Sequence, residues 1–356
     1  MGKLLDNGTD INYTEGSMKP RIISLIAEIE EFKGYWSGLQ VLPPDRLSAL
    51  RVLATIESIG SSTRIEGSLL SDSQVSALLK GLDIHSFRSR DDQEVAGYAE
   101  AMTQIHESFA EINISENSMK YLHKVLMQFS EKDQWHLGEY KKNPNHVAAY
   151  DTNGKQIGVI FETASPFDTP RMMEELIARM LRQLSEETHP LLVISDFALR
   201  FLAIHPFQDG NGRLSRVLTN LMLLQHGYQF VMYSSHERII EANKEEYYQA
   251  LRTSQKSLDN SNTLQEAWTE FFLNLLKKQK DELQAKILRE RSALETPALS
   301  AKILDLARAH GRITVSFLSG TLEANRNTIK KHLQALVQKG QLDKNGQGRG
   351  TYYTRK

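Results

Sequence analysis

Apolar side chains recur at three- and four-residue spacing through most of this 356-residue chain. That is the period of helices with one buried face. Ile23, Ile26 and Ile29 form one stripe, Leu47, Leu50 and Leu53 form the next, and Pro43-Pro44 separates the two. The pattern breaks between residues 138 and 170. There Asn143-Pro144, Asp151-Thr-Asn-Gly154 and Ser165-Pro166 supply turns, and the runs Val147–Tyr150 and Gln156–Phe161 flank the Asn-Gly pair. This predicts a β-hairpin, over about 145–161, set into an α-helical body. Trp268–Arg291 reads as a long helix, apolar at first and densely charged after Lys277. A surface helix passing into a linker is expected there, with Pro297 at the boundary. Beyond it, Ile303, Leu304, Leu306 and Ala307 mark one helix and Val315–Leu322 a second. A third spans Asn325–Val337, with Ile329, Leu333 and Leu336 inward. Gly340-Gln-Leu342 and Gly350–Tyr353 then bracket a glycine-rich turn, the order of a winged helix. The expected fold class is mainly α: a helical core with a β-hairpin, plus a small C-terminal winged-helix domain. The expected divisions are a loose N-terminus (1–20), a helical region (21–110), the core (111–275), a linker helix (276–298) and a winged helix-turn-helix domain (299–356).

Composition narrows the classes. Forty per cent hydrophobic and 24% charged residues suit an ordinary globular protein. No stretch approaches the ~18 uninterrupted apolar residues of a membrane span, and no secretory signal is expected in the N-terminal segment, where no apolar run is bounded by positive charge. There is no cysteine, which excludes disulfides, thiolate zinc sites and cysteine nucleophiles, and a reducing, cytoplasmic setting is expected. The net charge of −1 hides an asymmetry, because residues 300–356 carry eleven Lys/Arg against three acids, a net of +8 that leaves −9 elsewhere. A basic tail on an acidic body suits two functions, the tail facing nucleic acid or another polyanion. Arg326, Lys330 and Lys331 fall on the outer face of the third tail helix, and Arg349 falls in the wing. These are positions for phosphate contact, although the same face also suits protein contact or dimerisation.

The candidate chemistry is concentrated in His205-Pro-Phe-Gln-Asp209-Gly210-Asn211-Gly212-Arg213-Leu-Ser-Arg216. Leu191–Ile204 upstream is an apolar helix pattern, and Leu214, Val217, Leu218, Leu221 and Leu224 downstream recur at helical spacing. The glycine-rich stretch is therefore a loop feeding the N-terminus of a second helix. Such a terminus offers unpaired N–H groups and about half a positive charge to an anion. Gly210 and Gly212 allow close approach of the backbone. Arg213 and Arg216 are one turn apart, Asp209 is a hard oxygen ligand suited to Mg²⁺, and His205 is a base with a pKa near neutrality. Taken singly, each is as well read as a buried histidine, a capping aspartate or a solvated arginine. The ordered set points to phosphoryl or nucleotidyl transfer. There is no GxxxxGK[ST] phosphate loop, and Gly346–Gly350 lacks dinucleotide spacing.

The string matches the HPFxDGNGRxxR signature of Fic-domain proteins at every fixed position, and the chain resembles that family. The resemblance implies a Fic helical core that uses ATP and Mg²⁺ to move AMP onto a Ser, Thr or Tyr hydroxyl of a target protein. It implies His205 as general base, Asp209 as the Mg²⁺ ligand, and Gly210, Asn211, Gly212 and Arg213 around the α- and β-phosphates. Arg216 would pair with the γ-phosphate, and Phe207 would anchor the loop. The hairpin 145–161 corresponds to the family's flap, which docks the target by strand addition. Lys141 stands where similar proteins carry an Arg. Tyr247-Tyr248 matches a tyrosine pair whose second member borders the adenine. Seven residues further on, where some relatives have Asn, this chain has Gln255, which can still hydrogen-bond the base.

Ser62-Thr-Arg-Ile-Glu66-Gly67 resembles the family's inhibitory pattern [ST]xxxE[GN], placed N-terminal to the core. Leu50–Ile65 reads as a helix with Gly67 as its stop, and the resemblance implies that Glu66 pairs with Arg216 and misdirects ATP. It also allows Glu66 a part in removing AMP. Self-modification, duplex DNA on 299–356 and a homo-oligomer are partner classes left open. The rival reading is a DNA-binding transcriptional regulator whose core senses nucleotide with little turnover.

Overall fold

The structure is a computed structural model. It describes residues 19–37, 42–81, 89–150, 156–255, 258, 265–294 and 297–356, with backbone only at 147–150, 156–162, 292–294 and 349. Residues 1–18 of the expected loose terminus, the hairpin tip at 151–155 and the side chain of Arg349 lie outside the described residues. The chain forms two compact units divided after Leu283.

Two central helices organise the first unit. With α1 (Pro20–Ser37), α2 (Pro44–Ile65), α3 (Asp72–Lys80), α4 (Arg90–Ser108), α5 (Glu116–Met127) and α6 (Thr169–Ser185) preceding them, they are α7 (Pro190–Ile204) and α8 (Asn211–Gln225). Leu191–Leu199 is buried without interruption in α7, and Arg213–Leu224 in α8. Helices buried on every face belong at the centre of their unit, and α2, α4, α5, α6 and α10 pack against this pair. Then follow α9 (His236–Ala242), α10 (Lys244–Gln255) and α11 (Glu266–Leu294). A cluster of Ile65, Ala198, Leu199, Leu202, Ile240, Tyr247 and Trp268 ties α2, α7, α9, α10 and α11 together. The approach of α4 to α5 depends on Gly97, where an added Cβ would lie 1.9 Å from the Leu126 carbonyl oxygen.

The last turns of α2 are unusual. Ser58, Gly60, Ser61, Ser62 and Thr63 are all buried. Small hydroxyl side chains let the helix lie close to α8, and Thr63 returns its hydroxyl to Gly60 O and Ile59 O.

Strands β1 (His146–Tyr150) and β2 (Gln156–Glu162) form the predicted antiparallel hairpin. Its register shifts twice, at Val147/Ala148 and Ala149/Tyr150, so Ile160 and Ile157 are extra residues that increase its twist.

The expected linker helix differs. α11 runs unbroken through residues 275 and 276, and Leu276, Gln279, Lys280 and Leu283 are buried. Residues 276–283 are therefore part of the first unit. An apolar stripe at i, i+7 and i+11 (Leu276, Leu283, Ile287) persists beneath the charges, and the charges themselves pair locally, Lys277 and Lys280 with Asp281.

In the second unit α12 (Ala298–His310), α13 (Val315–Thr321) and α14 (Arg326–Gln338) precede a hairpin of β3 (Leu342–Asn345) and β4 (Tyr352–Arg355). Ile313 bridges to Tyr353 beside the hairpin. Ile303, Leu318, Ile329, Leu333, Leu336 and Tyr353 form the core, leaving Arg326, Lys330 and Lys331 exposed on α14.

Candidate active site

Helix α7 ends at His205, whose φ of 53° is left-handed. This backbone is uncommon for any residue with a Cβ, and such strain tends to persist at working sites. Its N–H still donates to Phe201 O, and its ring Nδ1 lies 3.3 Å from Leu202 O. A carbonyl can only accept, so Nδ1 carries the proton and Nε2 keeps its lone pair. Burial, together with the positive charge of Lys141, pulls the imidazole from 6.5 down to about 4. At neutral pH His205 is therefore an unprotonated base.

The loop after His205 is closed by one side chain. Asn211 Oδ1 accepts from Phe207 N at 2.8 Å and its Nδ2 donates to Phe207 O at 2.7 Å. Phe207 is fully buried and stacks on His123, with centroids 3.9 Å apart and planes 7° apart. His123 Nδ1 accepts from Gly138 N, which makes Nε2 the donor to Asp209 O at 3.0 Å. Gly210, at φ 79°, caps α8 without any side-chain acceptor. The first-turn amides of α8 are thus left for a ligand.

Asp209 accepts from Gly210 N through Oδ1 and from Arg90 through Oδ2, at 3.1 Å. Burial opposes its charge, but Arg213, the Gly210 amide and Arg90 outweigh burial and hold the carboxyl below its usual range. Arg213 is almost wholly buried between Glu94 (3.3 Å) and Asp209 (3.4 Å). Its Nη1 makes the ion pair with Glu94, but its Nε has no hydrogen-bond acceptor, and neither has Nη1 of Arg216. Orphaned buried donors on guanidinium groups call for an anion.

Arg216 is gripped by α2. Its Nε donates to Ser62 Oγ at 2.8 Å, and its Nη2 to Ser62 O at 2.9 Å and Glu66 Oε1 at 2.8 Å. Glu66 caps α2, and Gly67 turns the chain away at φ 110°. A Cβ on Gly212 would lie 2.2 Å from Glu66 Oε1, so the carboxylate rests against the N-terminal turn of α8.

A cavity of about 330 Å³ gathers Glu66, His205, Asp209, Gly210, Gly212, Arg213 and Tyr248. Its size falls within the roughly 300–1,000 Å³ of small-molecule sites. Gln255 is not there. It lines a separate cavity with Arg179, Arg182 and Arg200, so the structure does not bring it to the expected adenine position. Asn211 reaches the cavity wall, but its side chain is spent on closing the loop. Arg90, Glu94, His123 and Asn145 belong to the site or its support, and no spacing in the sequence announces them. Among the described residues no three His, Asp or Glu side chains cluster as a metal cage. Mg²⁺ commonly takes one or two carboxylates, waters and substrate phosphates, and the ionised Asp209 fits that donor role.

Residues 113–223 match the Fic/DOC family. Over 187 residues, 52% of the chain and 35% of the relative, the sequence is 27% identical to the protein adenylyltransferase Fic of Drosophila melanogaster. A Fido domain-containing protein of Dictyostelium discoideum is 29% identical over 102 residues, 27% of this chain and 67% of that one. The chain thus spans about a third of the length of the Drosophila relatives it matches. Among solved structures, a Fic family protein from Desulfovibrio desulfuricans has a TM-score of 0.62 at 22% identity, covering 96% of this chain and 97% of that chain. Fic-1 from C. elegans has a TM-score of 0.55 at 19% identity, covering 78% and 72%. The fold is the one these structures have.

Proposed function

We propose, from the match of residues 113–223 to the Fic/DOC family, that the chain is a protein adenylyltransferase, moving AMP from ATP to a hydroxyl side chain of a target protein. The observation that carries this reading is the meeting, in one cavity, of an unprotonated His205, a helix N-terminus with no side-chain cap and the guanidinium of Arg213. His205 takes the proton of the target hydroxyl as that oxygen bonds to the α-phosphorus. The bond from the α-phosphorus to the bridging oxygen breaks, and pyrophosphate leaves. The first-turn amides of α8 and the guanidinium of Arg213 face the phosphates and offset the negative charge that builds there. Asp209 would hold Mg²⁺, which when bound supplies charge neutralisation at the phosphates. Tyr248, which lines the same cavity, would border the base, and the hairpin β1–β2 would offer an edge to the target backbone.

In the same reading Glu66 is a brake. Its carboxylate sits at the anion-binding end of α8 and occupies Arg216, the guanidinium that would otherwise reach the γ-phosphate. Self-modification and removal of AMP are extensions of this reading. No helix among the described residues is long and apolar enough to cross a membrane, and a cytoplasmic setting suits a cysteine-free chain. Incubation of the Glu66→Gly protein and cell lysate with ATP labelled at the α- or the γ-phosphate tests the proposal. Label retained only from the α-position supports it. Retention only from γ means phosphorylation, and no retention favours a nucleotide sensor. That second reading draws on the exposed Arg326, Lys330 and Lys331 of α14, a face suited to duplex phosphates in a winged helix.

A further inference from the structure

Lys141 is a buried ammonium, 3% exposed, and among the described residues it meets no carboxylate. It nevertheless uses all three of its donors. Nζ reaches Asn145 Oδ1 at 2.9 Å, Thr163 Oγ1 at 2.9 Å and Ile204 O at 3.0 Å. An ammonium has no further donor to give.

The three acceptors are not neighbours in sequence. Asn145 immediately precedes β1, Thr163 immediately follows β2, and Ile204 is the last residue of α7 before His205. Secondary bonds close the junction. Thr163 Oγ1 lies 2.8 Å from Asn145 O and 2.7 Å from Asn145 Oδ1, while Asn145 Nδ2 donates to Phe207 O at 2.8 Å. The backbone of Lys141 donates to Pro206 O at 2.9 Å, beside the Tyr140–Phe207 bridge.

Burying an ammonium without a counter-ion is costly, and burial lowers its pKa from 10.5 to about 8. An apolar side chain of similar length would remove that cost but take the donor from Ile204 O and Thr163 Oγ1, leaving Asn145 Oδ1 only the Thr163 hydroxyl. The residue is therefore poorly accounted for as a contributor to stability alone. What it joins accounts for it better.

We propose that Lys141 is a positioning residue whose ammonium fastens both ends of the β1–β2 hairpin to the backbone that presents His205. The seat for the target and the base that deprotonates the target hydroxyl are then one piece. The seat's function rests on the adenylyltransferase reading, whereas the fastening does not. The nucleotide side of the cavity, built from α8, is closed by Asn211, which bonds both Phe207 N and Phe207 O, and Asn145 adds one further bond to Phe207 O.

Hydrogen–deuterium exchange on the full chain tests the fastening without any activity. In Lys141→Met, amides of the hairpin strands should exchange roughly tenfold faster while those of α8 keep their protection. Lys141→Arg, which retains donors, should restore part of that protection. In the Glu66→Gly background, Lys141→Met should lose roughly tenfold in α-label transfer, while ATP affinity measured by calorimetry changes less than about twofold. Hairpin exchange equal to that of the parent overturns the proposal. So does a loss of protection spread evenly over hairpin and α8. If Lys141→Met does not fold, Thr163→Val removes one acceptor at the same junction and should loosen the hairpin in the same way. If that variant leaves exchange unchanged, the proposal fails. If the Glu66→Gly protein itself transfers no label, the enzyme reading falls, and exchange still decides the role of Lys141.

Discussion

Arg216 donates to Glu66 across 2.8 Å, and the two residues stand 150 positions apart in the sequence. The contact joins the end of α2 to the first turns of α8. Burial works against the charge on Arg216, yet Glu66 and neighbouring groups hold its pKa above the usual range. Such a pair ties down a guanidinium that a phosphate would otherwise claim.

Glu66→Gly should raise AMP transfer by at least about tenfold, the equivalent of releasing one charge-assisted contact. The check is transfer of α-label from ATP by parent and variant at equal concentration. Equal rates would remove the brake from the account and leave Glu66 as a helix-end residue.

His205→Ala in the Glu66→Gly background should cost about 10²- to 10⁴-fold in rate, the usual worth of a general base. Binding of ATP should persist, because the phosphates meet α8 and Arg213 instead. Calorimetry separates the two effects, and a joint loss of binding and rate would make the histidine structural.

The acid limb of kcat/KM should lie near the His205 pKa of about 4 and not at the ordinary histidine value. Stability follows the same sign. His123 is also held at about 4 by burial, so between about 6.5 and 4 the unfolded chain binds the proton and the native one does not. Stability is thus lost as pH falls through that window, by about 3 kcal/mol from His123 at its lower end. A pH–rate profile and denaturation at each pH measure both. A rate limb at the ordinary histidine pKa would show that the ring is better solvated than its packing implies.

Gly97→Ala should destabilise the first unit by about 2–4 kcal/mol. Its Cβ would meet the backbone oxygen of Leu126 at 1.9 Å, and backbone cannot step aside as a flexible side chain does. Urea denaturation reports the loss, and an unchanged midpoint would mean that α4 can shift away from α5 without cost.

Replacing Arg326, Lys330 and Lys331 together by Ala should weaken duplex DNA binding by the full chain. It should also reduce the salt slope by about 0.9 for each phosphate contact removed. Binding that is absent in the parent, or indifferent to salt, would assign the α14 face to another partner.

The 205–216 loop was legible because its chemistry is contiguous: base, glycines and guanidinium groups follow one another within one turn and one helix start. The tail's three helices and hairpin were legible from periodicity and glycines. Other parts of the site are assembled from distant elements. Glu94 on α4 and His123 on α5 reach the loop only through packing, and an isolated His or Glu on a helix has no spacing that marks it. Asn211 stood in the motif, yet sequence cannot tell a side chain that touches ligand from one that closes its own loop. Gln255 followed the tyrosine pair at a plausible interval, but α10 turns it to a different cavity. In α11 the density of charge concealed Leu276 and Leu283, whose seven-residue interval is the truer signal.

The last turn of α2 has little freedom to leave. Ile65 is embedded among Leu199, Leu202 and Tyr247, and Arg64 is clamped by Glu241 and Asp72 at 2.6 and 2.9 Å. Peeling this helix away would break open the middle of the molecule. Whatever frees Arg216 from Glu66 must therefore work on a scale of a few torsion angles, swinging one carboxylate aside while its helix stays put. A signal that small could come from the arriving substrate itself.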